Sequence, residues 1–169
     1  MIALFEEGGF TVIGVPEVAP ALLPKAGLLA GQTGPRDADD AARAGIIARA
    51  LGAVDVGQGV CVAQGLCLAV EALPGTDAML TSLADLPPGL RPDPRLGRGL
   101  YYKAAKPGQD LRIDLPTIGP RTLELVAKAG LGGIVIEAGK VICLDLDQML
   151  RQAALLDLFL WSRPCPASS

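Results

Sequence analysis

Apolar and polar positions along the chain alternate between helical and strand-like spacing, and most of the predicted elements follow from that alternation alone. Residues 1–7 look like the end of an amphipathic helix, and residues 10–15 (Phe-Thr-Val-Ile-Gly-Val) predict a short buried strand. Pro16, Pro20 and Pro24 then forbid a long helix. Over 37–51, alanines with Ile46, Ile47 and Leu51 recur at helical spacing. Asp37, Asp39 and Asp40 occupy the first turns, where the macrodipole favours them, and Gly52 is the predicted stop. Residues 55–71 are apolar and β-branched on both sides of Gln64-Gly65, which predicts a hairpin.

A helix is predicted from Ala78, with Thr76 as its cap, Asp77 facing the amino-terminal dipole and Pro87-Pro88 closing it. Residues 87–99 are too rich in proline and glycine for a ladder and predict a mobile surface excursion. Strand-like residues 99–102 follow, and then a polar loop. Pro120 opens a helix to Ala129, with Leu123, Val126 and Ala127 inward and Gly130 as its cap. Two strands over 133–137 and 140–145 are joined at Ala138-Gly139; a helix over 147–156 and a strand over 158–161 complete the pattern. This order predicts a single α/β domain with a mixed sheet, hairpins and helical crossovers.

Composition narrows the chemistry. Half of the residues are hydrophobic but only 4% are aromatic, so the core must consist of Leu, Val, Ile and Ala. With 15 Lys+Arg against 18 Asp+Glu the net charge is −3, which gives no electrostatic case for a nucleic-acid partner. Cys61, Cys67, Cys143 and Cys165 show no C-x-x-C spacing, and three lie in apolar runs, as expected of reduced core residues. The absence of histidine excludes His-based triads and His-containing zinc sites, so a metal would need oxygen ligands of the kind Mg²⁺ takes. No apolar run reaches the roughly 18 residues that span a bilayer, and the chain is expected to be cytoplasmic.

Candidate chemistry is densest in residues 103–119, where Lys103, Lys106, Gln109, Asp110, Arg112 and Asp114 lie between a strand and a helix. The alternative is a solvated loop with surface ion pairs of small effect. Lys103 and Lys106 supply point charges and Arg112 a bidentate fork for phosphate. If residues 112–115 are extended with Ile113 and Leu115 inward, Arg112 and Asp114 share the opposite face. Gly119-Pro120 opens a helix whose free N–H groups suit an anion. Gly57-Gln58-Gly59 lacks the strand-to-helix context of a phosphate loop; its glycines serve either a tight strand turn or a ligand beside Gln58. Glu71 and Asp77 can either converge from a strand end and a helix start or act as a solvated charge and a cap.

Several motifs together resemble one family: Asp55-Val56-Gly57-Gln58, Val70-Glu71-Ala72 with Gly75-Thr76-Asp77-Ala78-Met79, residues 103–116, and Ile118-Gly119-Pro120-Arg121-Thr122. Gly132-Gly133-Ile134, Glu137-Ala138-Gly139 and Leu158-Phe159-Leu160-Trp161 extend the likeness over nearly the whole chain. The chain is similar to the carboxy-terminal domain of the UDP-2,3-diacylglucosamine pyrophosphatases of lipid A biosynthesis, in the form distinct from the calcineurin-like enzymes. The resemblance implies Mg²⁺-dependent (or Mn²⁺-dependent) hydrolysis of UDP-2,3-diacylglucosamine to UMP and 2,3-diacylglucosamine 1-phosphate. Substrate is then held between a Rossmann-like amino-terminal domain, absent from this chain, and the present domain. Residues 1–36 become a linker remnant with a first strand, and 37–169 the catalytic and substrate-binding domain.

Carried over by motif, the resemblance implies Asp114, Asp77 and Lys106 as catalytic residues and Asp114, Asp77 and Glu71 as metal ligands. Gln58, Thr76, Lys103, Gln109, Asp110, Arg112, Gly119 and Thr122 become substrate contacts. The expected partners are the lipid nucleotide, the amino-terminal domain in cis or trans, and further copies of the chain. Membrane contact would be peripheral, through the lipid substrate at the inner face of the inner membrane. Alone, the chain is expected to fold but to turn over substrate poorly. The alternatives are a noncatalytic nucleotide-sugar or phospholipid-binding module and a purely structural domain.

Overall fold

The structure is a computed structural model that describes residues 2–164. In chain order its elements are α1 (Ile2–Glu7), α2 (Val15–Val18), β1 (Gly27–Ala30), α3 (Asp37–Ala53), β2 (Gly59–Ala63), β3 (Leu66–Val70), α4 (Gly75–Ala84), β4 (Leu100–Lys103), β5 (Thr117–Ile118), α5 (Pro120–Lys128), β6 (Gly133–Glu137), β7 (Ile142–Cys143), α6 (Leu146–Leu155) and β8 (Phe159–Arg163). The main sheet runs β1-β8-β6-β4-β2-β3. Its centre, β4, β6 and β8, is parallel, and β1, β2 and β3 extend it antiparallel at the two sides. The mixed α/β sheet expected from the sequence is therefore present, with helical crossovers through α5 and α6.

Successive residues of the central strands point into two different cores, as a period of two dictates. Tyr101, Ile134, Ile136 and Leu160 pack with Met79, Leu80, Leu83, Leu123, Val126 and Met149 of α4, α5 and α6. Tyr102, Val135 and Phe159 face Ala41, Ala44 and Ala48 of α3. The small residues of α3 explain its close approach: a Cβ on Gly45 would lie 3.3 Å from the Tyr102 hydroxyl oxygen.

The hairpin forms as predicted. Its turn residues Gln64 (φ 54°) and Gly65 (φ 79°) are both left-handed, the geometry that suits a two-residue connection. Asp40 closes the arrangement from α3, its carboxylate accepting from Gln64 N at 2.9 Å and Gly65 N at 2.6 Å. Residues 87–99 form no ladder, also as expected. Gln64 holds this stretch by donating to the carbonyls of Asp93 (2.6 Å) and Gly97 (3.0 Å).

Four expectations are corrected. Residues 10–15 are not a strand: Phe10 is 68% exposed and the sheet edge is taken by β1, which the pattern did not predict. The segment instead lies on the polar loop, where a Cβ on Gly14 would meet Arg112 Cα at 2.7 Å. Gly52 does not stop α3, which continues to Ala53. The strand expected over 140–145 shrinks to β7, which leaves β6 and pairs with β5 in a separate parallel ribbon. Cys61 and Cys143 are buried, with burial pushing the Cys143 thiol up to about 12, but Cys67 is exposed on β3. Cys165 lies outside the described residues.

Candidate functional site

The carboxyl ends of β4, β6 and β8 open on one rim of the sheet, where ligands of α/β proteins usually bind. β4 ends at Lys103 and β6 at Glu137, and the polar loop leaves from β4. The loop is anchored at its start by Ala104 N, which donates to Gln58 O at 3.0 Å. That bond ties the β2 approach to the β4 exit.

Behind this junction lies a buried polar network. Lys103, 4% exposed, donates through Nζ to Glu71 Oε1 (2.9 Å) and Oε2 (2.7 Å) and to Thr76 Oγ1 (3.0 Å). Thr76 in turn donates to Glu71 Oε1 at 2.9 Å and lies 3.2 Å from the Tyr101 hydroxyl. Thr76 is inside α4, which begins at Gly75 without a side-chain cap, so its predicted capping role is replaced by this network. A buried charge pair has to satisfy its remaining valences, and here the hydroxyl of Thr76 does so.

The glycines of Gly57-Gln58-Gly59 serve close packing. A Cβ at position 57 would lie 2.0 Å from Glu71 O, and one at 59 would lie 2.4 Å from Glu71 Oε2 and 2.8 Å from the Tyr101 hydroxyl. Gly57→Ala is expected to cost at least about 1–3 kcal/mol, the usual range for forced overpacking. Urea unfolding checks this, and a wild-type midpoint would show that the β2 approach can shift freely. Between the two glycines the Gln58 side-chain oxygen is buried without a donor.

Towards solvent the loop carries more exposed charges. Lys106 Nζ meets Asp55 Oδ1 at 2.6 Å, and its ammonium is held above the usual lysine range. The Asp55 hydrogen bond is the main cause, acting against some desolvation, with the charges of Asp55, Asp114 and Glu71 adding to it. Gln109 Oε1 accepts from Lys106 N at 2.9 Å, leaving its buried amide nitrogen without an acceptor. Asp114 is exposed, and its carboxylate makes no hydrogen bond or ion pair with the described residues.

Residues 110–114 form a turn, so the condition under which Arg112 and Asp114 would share one face of an extended segment is not met. Ile113 N and Asp114 N both donate to Asp110 O at 3.1 Å, and Ile113 is 63% exposed instead of inward. Arg112 forks onto Asp110 through Nε (3.0 Å) and Nη2 (2.8 Å), and its Nη1 reaches Glu6 of α1 at 3.0 Å. Arg112 holds the Asp110 carboxyl well below the usual range, at about 2. A carboxyl depressed on folding stabilises the fold above its unfolded pKa, near 4, and that contribution disappears as pH falls through about 2. An NMR titration of the Asp110 carboxyl is expected to show a midpoint near 2, and an ordinary midpoint would mean the fork does not persist in solution.

The remaining predicted residues stand apart. Asp77 is bound by Arg121 Nε at 2.7 Å, both half or more exposed. Thr122 Oγ1 accepts from Gly119 N at 3.3 Å, so one of the N–H groups expected to face an anion is already used. Among the described residues no three carboxylates or cysteines come together as a metal cage. Glu71, Asp77 and Asp114 therefore do not converge as a set in this arrangement. Pattern reading also missed Arg49 of α3, Glu137 at the end of β6 and Lys140 in the turn that follows, which line a cavity of about 230 Å³ with Lys106 and Gln109. Only the Glu137-Ala138-Gly139 motif pointed there.

Comparison with known proteins identifies the family of the chain. The chain is 44% identical over 156 residues to the UDP-2,3-diacylglucosamine pyrophosphatase LpxI of Caulobacter vibrioides. The match covers 92% of this chain and 56% of that relative, so the chain spans little more than half of its length. The family profile described as LpxI C-terminal domain matches residues 25–161, from just before β1 into β8. The chain belongs to the LpxI C-terminal domain family.

Proposed function

We propose that the chain is the catalytic and substrate-binding part of an enzyme that hydrolyses the diphosphate of UDP-2,3-diacylglucosamine to UMP and 2,3-diacylglucosamine 1-phosphate. One observation carries the reading: a loop leaving the carboxyl end of a central parallel strand presents a carboxylate, Asp114, with no hydrogen-bond or ion-pair partner among the described residues, in the field of the Lys106 ammonium. Water adds across the P–O–P bridge, its oxygen joining one phosphorus while the bridging oxygen leaves with the other phosphate. Asp114 orients that water or receives its proton, and Lys106 offsets charge developing on the phosphoryl oxygens.

Mg²⁺, with Mn²⁺ as substitute, fits this donor set through Asp114, because Mg²⁺ is commonly held by one or two carboxylates with substrate phosphate and water. Asp77 is the second candidate, since its exposed pair with Arg121 is of the kind that contributes little and is easily exchanged. Glu71 has both oxygens taken by Lys103 and Thr76, and we assign it to positioning Lys103. When bound, the ion would neutralise phosphate charge and acidify water. We place the protein in the cytoplasm; none of its described helices is long and apolar enough to cross a membrane.

The test is UMP release from UDP-2,3-diacylglucosamine by this chain, with and without an added amino-terminal domain, in Mg²⁺ and in EDTA. We expect little turnover alone, because an uncovered diphosphate stays hydrated and poorly oriented, and Mg²⁺-dependent turnover once the domain is supplied. Substrate binding with no UMP release under any of these conditions would replace the hydrolase with the noncatalytic module.

A further inference from the structure

The loop after β4, the end of β6 and the helix α3 enclose a cavity of about 230 Å³ whose walls include Arg49, Lys106, Gln109, Glu137 and Lys140. All three cations are half-buried. Cations withdrawn from water need counter-charge, and the wall supplies one buried carboxylate, Glu137. Its contact with Lys140 is loose, 3.7 Å against the 2.7–2.9 Å of a charge-assisted hydrogen bond. The hydroxyl of Tyr102 also donates to Glu137, at 3.5 Å. Asp55, the partner of Lys106, is 84% exposed in its side chain, so that pair is screened by water and easily exchanged. Gln109 adds an amide nitrogen without an acceptor. Gly108 (φ 76°) has nothing within 4 Å of where a side chain would begin, so the lip of the cavity is open.

We propose that this cavity is a phosphoryl-binding site in which Arg49 and Lys140 act with Lys106 and Gln109, and that it holds one phosphate of the diphosphate substrate. The assignment to substrate rests on the hydrolase reading above; the affinity for phosphate rests on the cavity alone. Three cations and a donor amide converge on one volume at the carboxyl ends of parallel strands, the place where α/β folds receive anionic ligands. Arg49 brings a planar fork and the lysines bring point charges, a combination that suits phosphate better than a carboxylate or a neutral sugar. Glu137 balances the charge of the cavity when no anion is present. Arg112, the most obvious phosphate fork in the sequence, does not line this cavity and reaches Asp110 and Glu6 instead.

The experiment titrates the protein with inorganic phosphate, UMP and glucosamine 1-phosphate, followed by ³¹P NMR and calorimetry at low salt. Saturable binding is expected for at least one probe, and the tighter of the two organic phosphates identifies which half of the substrate occupies the cavity. Arg49→Gln and Lys140→Gln are each expected to weaken binding at least tenfold, while Lys140→Arg stays within about threefold and shows that the loss is not misfolding. Lys128→Gln, which removes an exposed charge at the end of α5, is expected to change nothing. Absence of saturable binding for all three probes, or binding indifferent to Arg49→Gln and Lys140→Gln, overturns the proposal. The two readings also separate. Undiminished UMP release with an unchanged KM in Lys140→Gln removes the cavity from the reaction while the hydrolase stands. Phosphate binding that depends on Arg49 and Lys140 in a protein releasing no UMP sustains the cavity after the hydrolase reading has failed.

Discussion

Lys103→Met is expected to destabilise the fold by about 3–5 kcal/mol, the cost of leaving a buried charge without its partner. The orphan would be Glu71, 9% exposed, left among the described residues with the Thr76 hydroxyl as its hydrogen-bond partner. For a domain of this size the melting temperature should fall by roughly 6–20 °C. Glu71→Leu alone should cost as much, since Lys103 is the more deeply buried partner. The double variant Glu71→Leu with Lys103→Met is expected to recover most of the loss, because an apolar pair of similar volume removes both desolvation penalties. Thermal denaturation of the three variants forms a double-mutant cycle with a large coupling energy. Additive losses would show that the two side chains do not act as a pair. A stable double variant that has lost UMP release would give the network a positioning role for the β4 exit, beyond its part in stability.

Asp114→Asn should have the opposite profile, with hydrolysis reduced by about 10²–10⁴-fold and stability within about 0.5 kcal/mol of wild type. The stability half follows from exposure and from the absence of any side-chain partner among the described residues. The activity half follows from the proposed role at the attacking water or the cation. Those roles separate in a Mg²⁺ titration. A ligand variant needs much more metal and regains part of its rate, whereas a proton-accepting variant stays slow at saturating metal. Wild-type turnover in Asp114→Asn would remove this carboxylate from the mechanism.

What the sequence shows about this fold depends on how local each signal is. The hairpin around Gln64-Gly65, the helix from Pro120 and the final strand are written in adjacent residues, and each lies where its pattern places it. β1 is Gly-Leu-Leu-Ala, with no β-branched residue and no alternation; it becomes a strand only because β8 offers an open edge. Residues 10–15 have the better strand composition but lie against the polar loop at Arg112 instead of joining either edge of the sheet. The same distinction governs the site. Lys103, Lys106, Gln109 and Asp114 were legible because one short stretch, the end of β4 and the loop after it, carries them. Arg49 and Lys140 reach the same cavity from α3 and from the turn after β6, brought there by the parallel pairing of β4 with β6. Glu71 and Thr76 were legible as site neighbours, but their commitment to Lys103 depends on burial, which spacing does not reveal.

The carboxylate of Asp40 changes what the hairpin tip can do in time. Amides at the tip of a tight turn normally exchange with solvent deuterium fastest of all, yet Gln64 and Gly65 both donate to a side chain that is 1% exposed. Their exchange then requires α3 to lift from the hairpin, so the two amides should report the opening of residues 37–71 as one cooperative unit. In Asp40→Ala they would exchange as a free turn does, while the strand amides on either side keep their protection.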